Sequence, residues 1–224
     1  MKKHFEQEIE NLNKLITVQA TAVERAVRNS LLSISNNDAD LAYFVIIGDD
    51  TLDTNEVRIE EECLKILALY QPVAGDLRYI VTLLKVNTEL ERIGDLAVNI
   101  AERAMHLHSM EQDTPVMDFT TMFQAVSVAL KKSLDSFLTH NSALAEEVIE
   151  SDNTIDELHR GNIELVKRLL KENSEQTESI LDFMTISRNL ERIADSCTNI
   201  GEDVIYLELG KIVRHSWSVA KMGS

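Results

Sequence analysis

Oxygen-bearing side chains recur along this chain in rows at helical spacing. Glu91, Asp95, Asn99 and Glu102 stand at i, i+4, i+8 and i+11, and Glu191, Asp195, Asn199 and Glu202 repeat the row one hundred residues later. Between residues 90–102 and 190–202, eight of thirteen positions are identical. Two further acid pairs, Asp49/Asp53 and Asp152/Asp156, share the i, i+4 spacing. Carboxylates on one face of a helix repel, and even an exposed like-charged i, i+4 pair costs about 0.2–0.5 kcal/mol. A bound cation reverses that sign. Clustered Asp and Glu oxygens, with an amide oxygen from Asn99 or Asn199, suit a hard ion such as magnesium, manganese, calcium or iron. His159, at i+3 from Asp156 where the first repeat has Glu56, adds an imidazole to the second set and tilts it towards iron or zinc.

These side chains need helices to hold them in register. Leu83, Val86, Leu90, Ile93, Ala97, Ile100, Ala104 and Leu107 alternate three and four apart, which makes one apolar seam beside the first row. Phe183, Ile186, Leu190, Ile193, Cys197, Ile200, Val204 and Leu207 repeat it beside the second. The same periodicity predicts helices over 3–35, 39–70, 75–108, 116–139, 143–172 and from about 177 onward. Breaks fall at Ser35-Asn36-Asn37-Asp38, Pro72, the polar stretch 109–115, His140-Asn141-Ser142 and Glu172-Asn173-Ser174-Glu175. Gly48, inside the second helix, costs roughly 1 kcal/mol of helix propensity relative to alanine and marks a close approach or room for a ligand. The expected fold is all-α, a tandem repeat of two up-down-up three-helix bundles with six long helices. The first bundle covers residues 1–110, the second 116–210, and a C-terminal tail runs over 211–224.

Hairpin geometry sets the heights of the acids. In an antiparallel pair, residues equidistant from the turn sit level. Asp53 and Glu91, like Asp49 and Asp95, are equidistant from Pro72. Asp156 and Glu191, like Asp152 and Asp195, are equidistant from the junction of Asn173 and Ser174. Both centres coincide with turns read independently from breaker residues, so each hairpin brings four carboxylates to one level. The bland alternative is a solvated acidic flank relieved by Arg92 and Arg192; recurrence in four helices at matching heights argues against it. Other candidates read more plainly. Asp76 is a first-turn acid complementing its helix dipole, the methionines are core filler, and His106, His108, His140 and His215 are solvated or capping groups at helix ends.

Composition narrows the function. Thirty-eight acidic against 22 basic residues give a net charge of −16, which disfavours a nucleic-acid binder. It suits a protein that binds cations or basic patches on partners. Cys63 and Cys197 fall inside apolar faces and read as reduced core thiols of a cytoplasmic protein. No stretch approaches a membrane span, and no signal peptide is read at the N-terminus, so no direct membrane insertion is expected.

The stretches Gln71-Pro72-Val73-Ala74-Gly75-Asp76-Leu77-Arg78 and Leu90-Glu91-Arg92-Ile93-Gly94-Asp95 resemble the PhoU family of phosphate-uptake regulators. So does the closing run Asn199-Ile200-Gly201-Glu202, with Ile205-Tyr206-Leu207, Gly210 and Val213-Arg214-His215. That resemblance implies metal clusters on Asp49, Asp53, Glu91 and Asp95, and on Asp152, Asp156, Glu191 and Asp195. It also implies a cytoplasmic negative regulator, a homodimer, linking the ATPase subunit of the high-affinity phosphate ABC transporter to a sensor histidine kinase. The second half departs from the pattern: it lacks the Pro-x-Ala-x-Asp-Leu-Arg turn, and Ser196 stands where the family often has histidine. Two rivals stand beside the adaptor. A carboxylate-bridged di-metal enzyme is disfavoured because no Glu-x-x-His occurs and the acids lie off the apolar seam. A purely structural bundle predicts no metal and no effect of chelation.

Overall fold

A computed structural model describes residues 2–110, 117–172 and 174–210. Six helices follow in order: α1 (Lys2–Ser35), α2 (Ala39–Tyr70), α3 (Ala74–Ser109), α4 (Thr120–Thr139), α5 (Ser142–Glu172) and α6 (Thr177–Leu209). The expected tail at 211–224 and most of the expected linker lie outside the described residues. The apolar seams read from sequence turn inward. Leu83, Val86, Leu90, Ile93, Ala97, Ile100 and Ala104 of α3 are buried, as are Phe183, Ile186, Leu190, Ile193, Cys197, Ile200, Val204 and Leu207 of α6. Each fully buried leucine or isoleucine is worth about 1.5–3 kcal/mol. That outweighs the few tenths that neighbouring like charges cost, so the seam can hold an unfavourable acid row in place.

Within each half, all three helices pack on one another: α1, α2 and α3 in the first, α4, α5 and α6 in the second. The halves join where α3 lies on α6 and, to a lesser extent, where α1 meets α4. One continuous apolar core runs through all six helices. Among the described residues no helix is long and apolar enough to cross a membrane.

Local chemistry fixes the ends. Asp38 accepts the Leu41 N–H at 2.9 Å and caps α2. At its far end Gln71 turns left-handed (φ 48°) and its N–H reaches Leu67 O, just before Pro72. The start of α4 differs from the expected 116. Met117 and Phe119 are buried, and Asp118 accepts the Thr120 N–H at 2.8 Å, so the helix begins only at Thr120.

The α3–α6 contact is polar along its centre, which the sequence did not announce. The helices run antiparallel: Lys85 meets Asp203 at 2.9 Å, Glu89 meets Asn199 at 3.1 Å, and His106 meets Asp182. Arg103 also reaches Asp182, at 3.4 Å. On α6 the seven-residue row Asp182, Asn189, Ser196 and Asp203 is buried throughout. The matching row on α3 is Thr82, Glu89, Leu96 and Arg103. Among the described residues, four of the six buried side-chain atoms without a hydrogen-bond partner lie in these rows: Thr82 Oγ1, Glu89 Oε2, Asn189 Nδ2 and Ser196 Oγ.

The histidines at helix ends do more than cap. His106 pairs with Asp182, His108 faces the Asn37 carbonyl at 3.0 Å, and His140 faces Glu208 at 3.1 Å. His106 and His140 each reach α6, and His108 ties α3 to the turn between α1 and α2, because the ends of antiparallel rods bring distant residues together. His215 lies outside the described residues.

Candidate metal centre

The first acid set is built on α2 and α3. Leu52 points into the core between Asp49 and Asp53, and Leu90 and Ile93 do the same beside Glu91 and Asp95, so burial dictates which way the acids face. Gly94 sharpens the approach. A methyl group there would sit 2.9 Å from Leu52 Cδ1 and 3.8 Å from Asp49 Oδ1, so its absence lets the second helix settle closely on the third. Gly48, by contrast, has nothing within 4 Å of such a methyl; the close approach expected there belongs to Gly94.

One carboxylate oxygen from each of Asp49, Asp53 and Asp95 lies within 4.8 Å of the other two. Burial pushes Asp49 up to about 6, with the charges of Asp53, Asp95 and Asp50 adding to it. Asp95 is raised by burial and by Asp53. Glu91 is raised by burial and then by Asp95, Glu56, Asp53 and Asp49, which places it in the field of the same group. Glu56 is the member that sequence reasoning left out of the set. It too is raised by burial, Glu60 and Asp53, and its i+3 spacing from Asp53 was the available signal. Asn99 is exposed, one turn beyond Asp95 on the third helix.

Such a donor set fits a metal of a particular kind. Oxygen-only ligands with no thiolate or imidazole suit a hard cation that completes its shell with water. Exposure of Asp53 and Asp95 gives water access on one side. Asp49, Asp53, Glu91 and Asp95 are the residues that would hold it.

The second set, on α5 and α6, is drawn together differently. Burial pushes Asp152 up to about 6, helped by Asp156 and Asp195 and partly offset by a hydrogen bond with Thr198. Glu191 is raised by burial and by Asp195, Asp156 and Asp152, against the opposing charge of Arg188. Asp195 is raised by burial and Asp156, against Arg92 and Arg192. The charge of Asp156 thus reaches the other three acids, yet among the described residues the four form no second trio as tight as the first.

The two non-carboxylate candidates here have partners within the protein. His159 Nδ1 lies 2.9 Å from Ser187 Oγ, which also accepts the Asn162 amide at 2.9 Å. Burial holds this imidazole below its ordinary value, with Asp156 working the other way. Only its Nε2 is left for a metal. Asn199 donates its amide to Glu89 Oε1 across the junction of the halves, leaving its own oxygen for a ligand.

The chain matches the PhoU domain twice, over residues 16–104 and 119–204. It is 38% identical over 93% of its length to a phosphate-specific transport system accessory protein PhoU homolog of Aquifex aeolicus (strain VF5), covering 95% of that protein. The phosphate-specific transport system accessory protein PhoU of Escherichia coli (strain K12) is 30% identical over 94% of this chain and 88% of its own. Among solved structures, PhoU from Pseudomonas aeruginosa superposes with a TM-score of 0.88 at 31% identity, over 92% of this chain and 100% of that one. The phosphate transport system regulatory protein PhoU from Streptococcus pneumoniae gives 0.87 at 25% identity, over 93% and 99%.

Proposed function

We propose that this chain, which belongs to the PhoU family, acts in phosphate-transport regulation as a metal-binding cytoplasmic adaptor without enzymatic activity. In this reading it lowers phosphate-starvation signalling when phosphate is plentiful, as a homodimer that contacts the ATPase subunit of the transporter and a sensor histidine kinase. The observation that carries the metal part is the Asp49, Asp53 and Asp95 trio within 4.8 Å. Burial and the neighbouring charges raise Asp49 and Asp95, and a magnesium, manganese, iron or zinc ion would relieve the crowding, with the all-oxygen donors favouring the harder ions. Exposed Tyr43, Phe44 and Ile47, about one turn before Asp49 on α2, offer a partner or a second copy an apolar surface beside the acids.

Catalysis is disfavoured by the setting of the acids. Metal catalysis gains from a dry, shaped cavity, whereas Asp53 and Asp95 face solvent. A cavity of about 500 Å³ lies elsewhere, against Leu31, Ala104, Phe119 and Phe183.

Elemental analysis and thermal melts with and without chelator test the metal. The metal held by the first set, and the stabilisation it gives, should be lost when Asp49, Asp53, Glu91 and Asp95 are neutralised together, leaving at most the share held by the second set. A quadruple variant that melts higher and still carries the same metal would remove these residues from the reading. For the regulatory role, deleting the gene should raise phosphate-starvation expression in high phosphate. Wild type should restore repression and the quadruple variant should not.

A further inference from the structure

The repeat supplies an internal control for the outer surface of α2. Aligning Asp49 and Asp53 with Asp152 and Asp156 also aligns Leu41, Val45 and Leu52 with Leu144, Val148 and Ile155. The inward positions agree, and the outward ones do not. Tyr43, Phe44, Ile47, Val57 and Leu64 of α2 are each 48–65% exposed. Their counterparts on α5 are Glu146, Glu147, Glu150, Arg160 and Lys167. Among the described residues, no large apolar side chain of α5 is exposed. Apolar surface left in water forfeits about 25 cal/mol per Å², and the matching helix of the same chain avoids that loss. The stripe on α2 is therefore not a by-product of how such a bundle folds.

Spacing, shape and charge say what covers it. Tyr43, Ile47, Thr54, Val57 and Leu64 are separated by three, four or seven residues, the steps of a seam on which another helix packs. Beside the seam, a groove of about 140 Å³ between α1 and α2 is lined by Ala22, Arg25, Ala26, Phe44, Gly48 and Thr51. The protein's own packing makes no use of Gly48, since a methyl there would meet nothing within 4 Å. Glycine inside a helix costs roughly 1 kcal/mol relative to alanine, so the space it leaves open serves something outside. From residue 40 to 64, α2 carries eight acids and one base, Arg58. A second copy laid on this face would set eight acids against eight, and an anionic lipid surface would be repelled. We infer that this face of α2 docks an amphipathic helix of a partner protein whose polar side carries lysine and arginine. One large apolar side chain of that helix seats over Gly48 beside Phe44, and its basic residues meet Asp50 and Glu61, both exposed. The inference rests on the adaptor reading given above and supplies the chemistry of its contact.

A fluorescently labelled Leu/Lys amphipathic helix, followed by anisotropy against the full chain, tests this. Wild type should bind it, more weakly as salt rises, and should ignore the same helix with glutamate in place of lysine. Phe44→Ser with Ile47→Ser should weaken binding about tenfold, as loss of buried apolar anchors does. Gly48→Leu, which fills the groove, should weaken it by a similar factor while Tm stays unchanged or rises. Glu147→Ser with Glu150→Ser, at matching positions of α5, should leave binding unchanged. In cells, Phe44→Ser with Ile47→Ser should lose repression in high phosphate while metal content and Tm are kept. Failure of wild type to bind the helix, α2 variants that bind it as wild type does, or equal loss from the α5 pair would overturn the proposal. So would a double variant that still represses, binding to phosphatidylglycerol vesicles in place of the helix, or a dimer in sedimentation that the double variant dissolves. Each of these leaves the adaptor reading in place. Gene deletion without effect on phosphate-starvation expression would overturn the adaptor reading and this inference together.

Discussion

Glu89 on α3 accepts a hydrogen bond from the Asn199 amide on α6 at 3.1 Å, while its other oxygen, Oε2, is buried with no partner. Thr82 Oγ1, Asn189 Nδ2 and Ser196 Oγ are likewise buried without a partner. A buried hydroxyl without a partner forfeits its hydration and gains nothing in return. Ser196→Ala should therefore leave stability unchanged or raise it by up to about 1 kcal/mol. Lys85→Met should lower it by about 2–4 kcal/mol, because buried Asp203 loses its ammonium partner. Urea denaturation of the two variants checks both signs.

Acid should stabilise the metal-free protein. Asp49 and Asp152 are pushed up to about 6, and Glu91, Asp95, Glu191 and Asp195 are raised as well, by burial first in every case. A carboxyl with a raised folded pKa binds its proton more tightly folded than unfolded, so its contribution is complete below the unfolded value and is lost as pH rises through the folded one. The metal-free Tm should fall as pH goes from about 4 to about 7 as far as these groups decide it. Metal affinity should run the other way and weaken below about 6, where protons compete for the ligands. Melts across that range with chelator and with Mn²⁺ separate the two slopes.

The two glycines near the first acid set should respond oppositely to alanine. Gly48→Ala meets nothing within 4 Å and should stabilise by up to about 1 kcal/mol through helix propensity alone. Gly94→Ala places its methyl 2.9 Å from Leu52 Cδ1. Overpacking of that kind costs about 1–3 kcal/mol, which cancels or exceeds the propensity gain. Metal affinity should drop in the second variant, because moving Leu52 moves its neighbours Asp49 and Asp53.

Both thiols should be silent in the folded state. Cys63 and Cys197 are free and buried, and burial pushes each up to about 12. Thiolate is the reactive form, so a thiol reagent at neutral pH should label neither until denaturant is added, when both should react at once.

Much of this arrangement was legible before any coordinates. The seam from Leu83 to Ala104 announced α3 because each member is apolar and correctly spaced, and all of them are buried. The levels of Asp49 and Asp95 followed from Pro72 because a short turn leaves an antiparallel pair little freedom to slide. The junction of the halves was hidden for an equally physical reason. Asp182, Asn189, Ser196 and Asp203 look like a solvated stripe, and only the arrival of a second helix bearing Lys85, Glu89, Arg103 and His106 buries them. The start of α4 turned on Asp118 accepting the Thr120 N–H, a bond between near neighbours that a periodicity search does not weigh.

That junction also decides which rods are permitted to pair. Among the described residues, the basic partners in its cross-helix ion pairs, Lys85, Arg103 and His106, come from the first half, and the acids facing them, Asp182 and Asp203, come from the second. The near-identity of the repeats would otherwise allow an exchange between two molecules, with α3 lying on another α3 and α6 on another α6. In the same register the first of these sets Lys85 against Arg103, and the second sets Asp182 against Asp203. Charge repulsion thus discourages swapped assemblies, and keeps each molecule's halves with one another rather than with a stranger's.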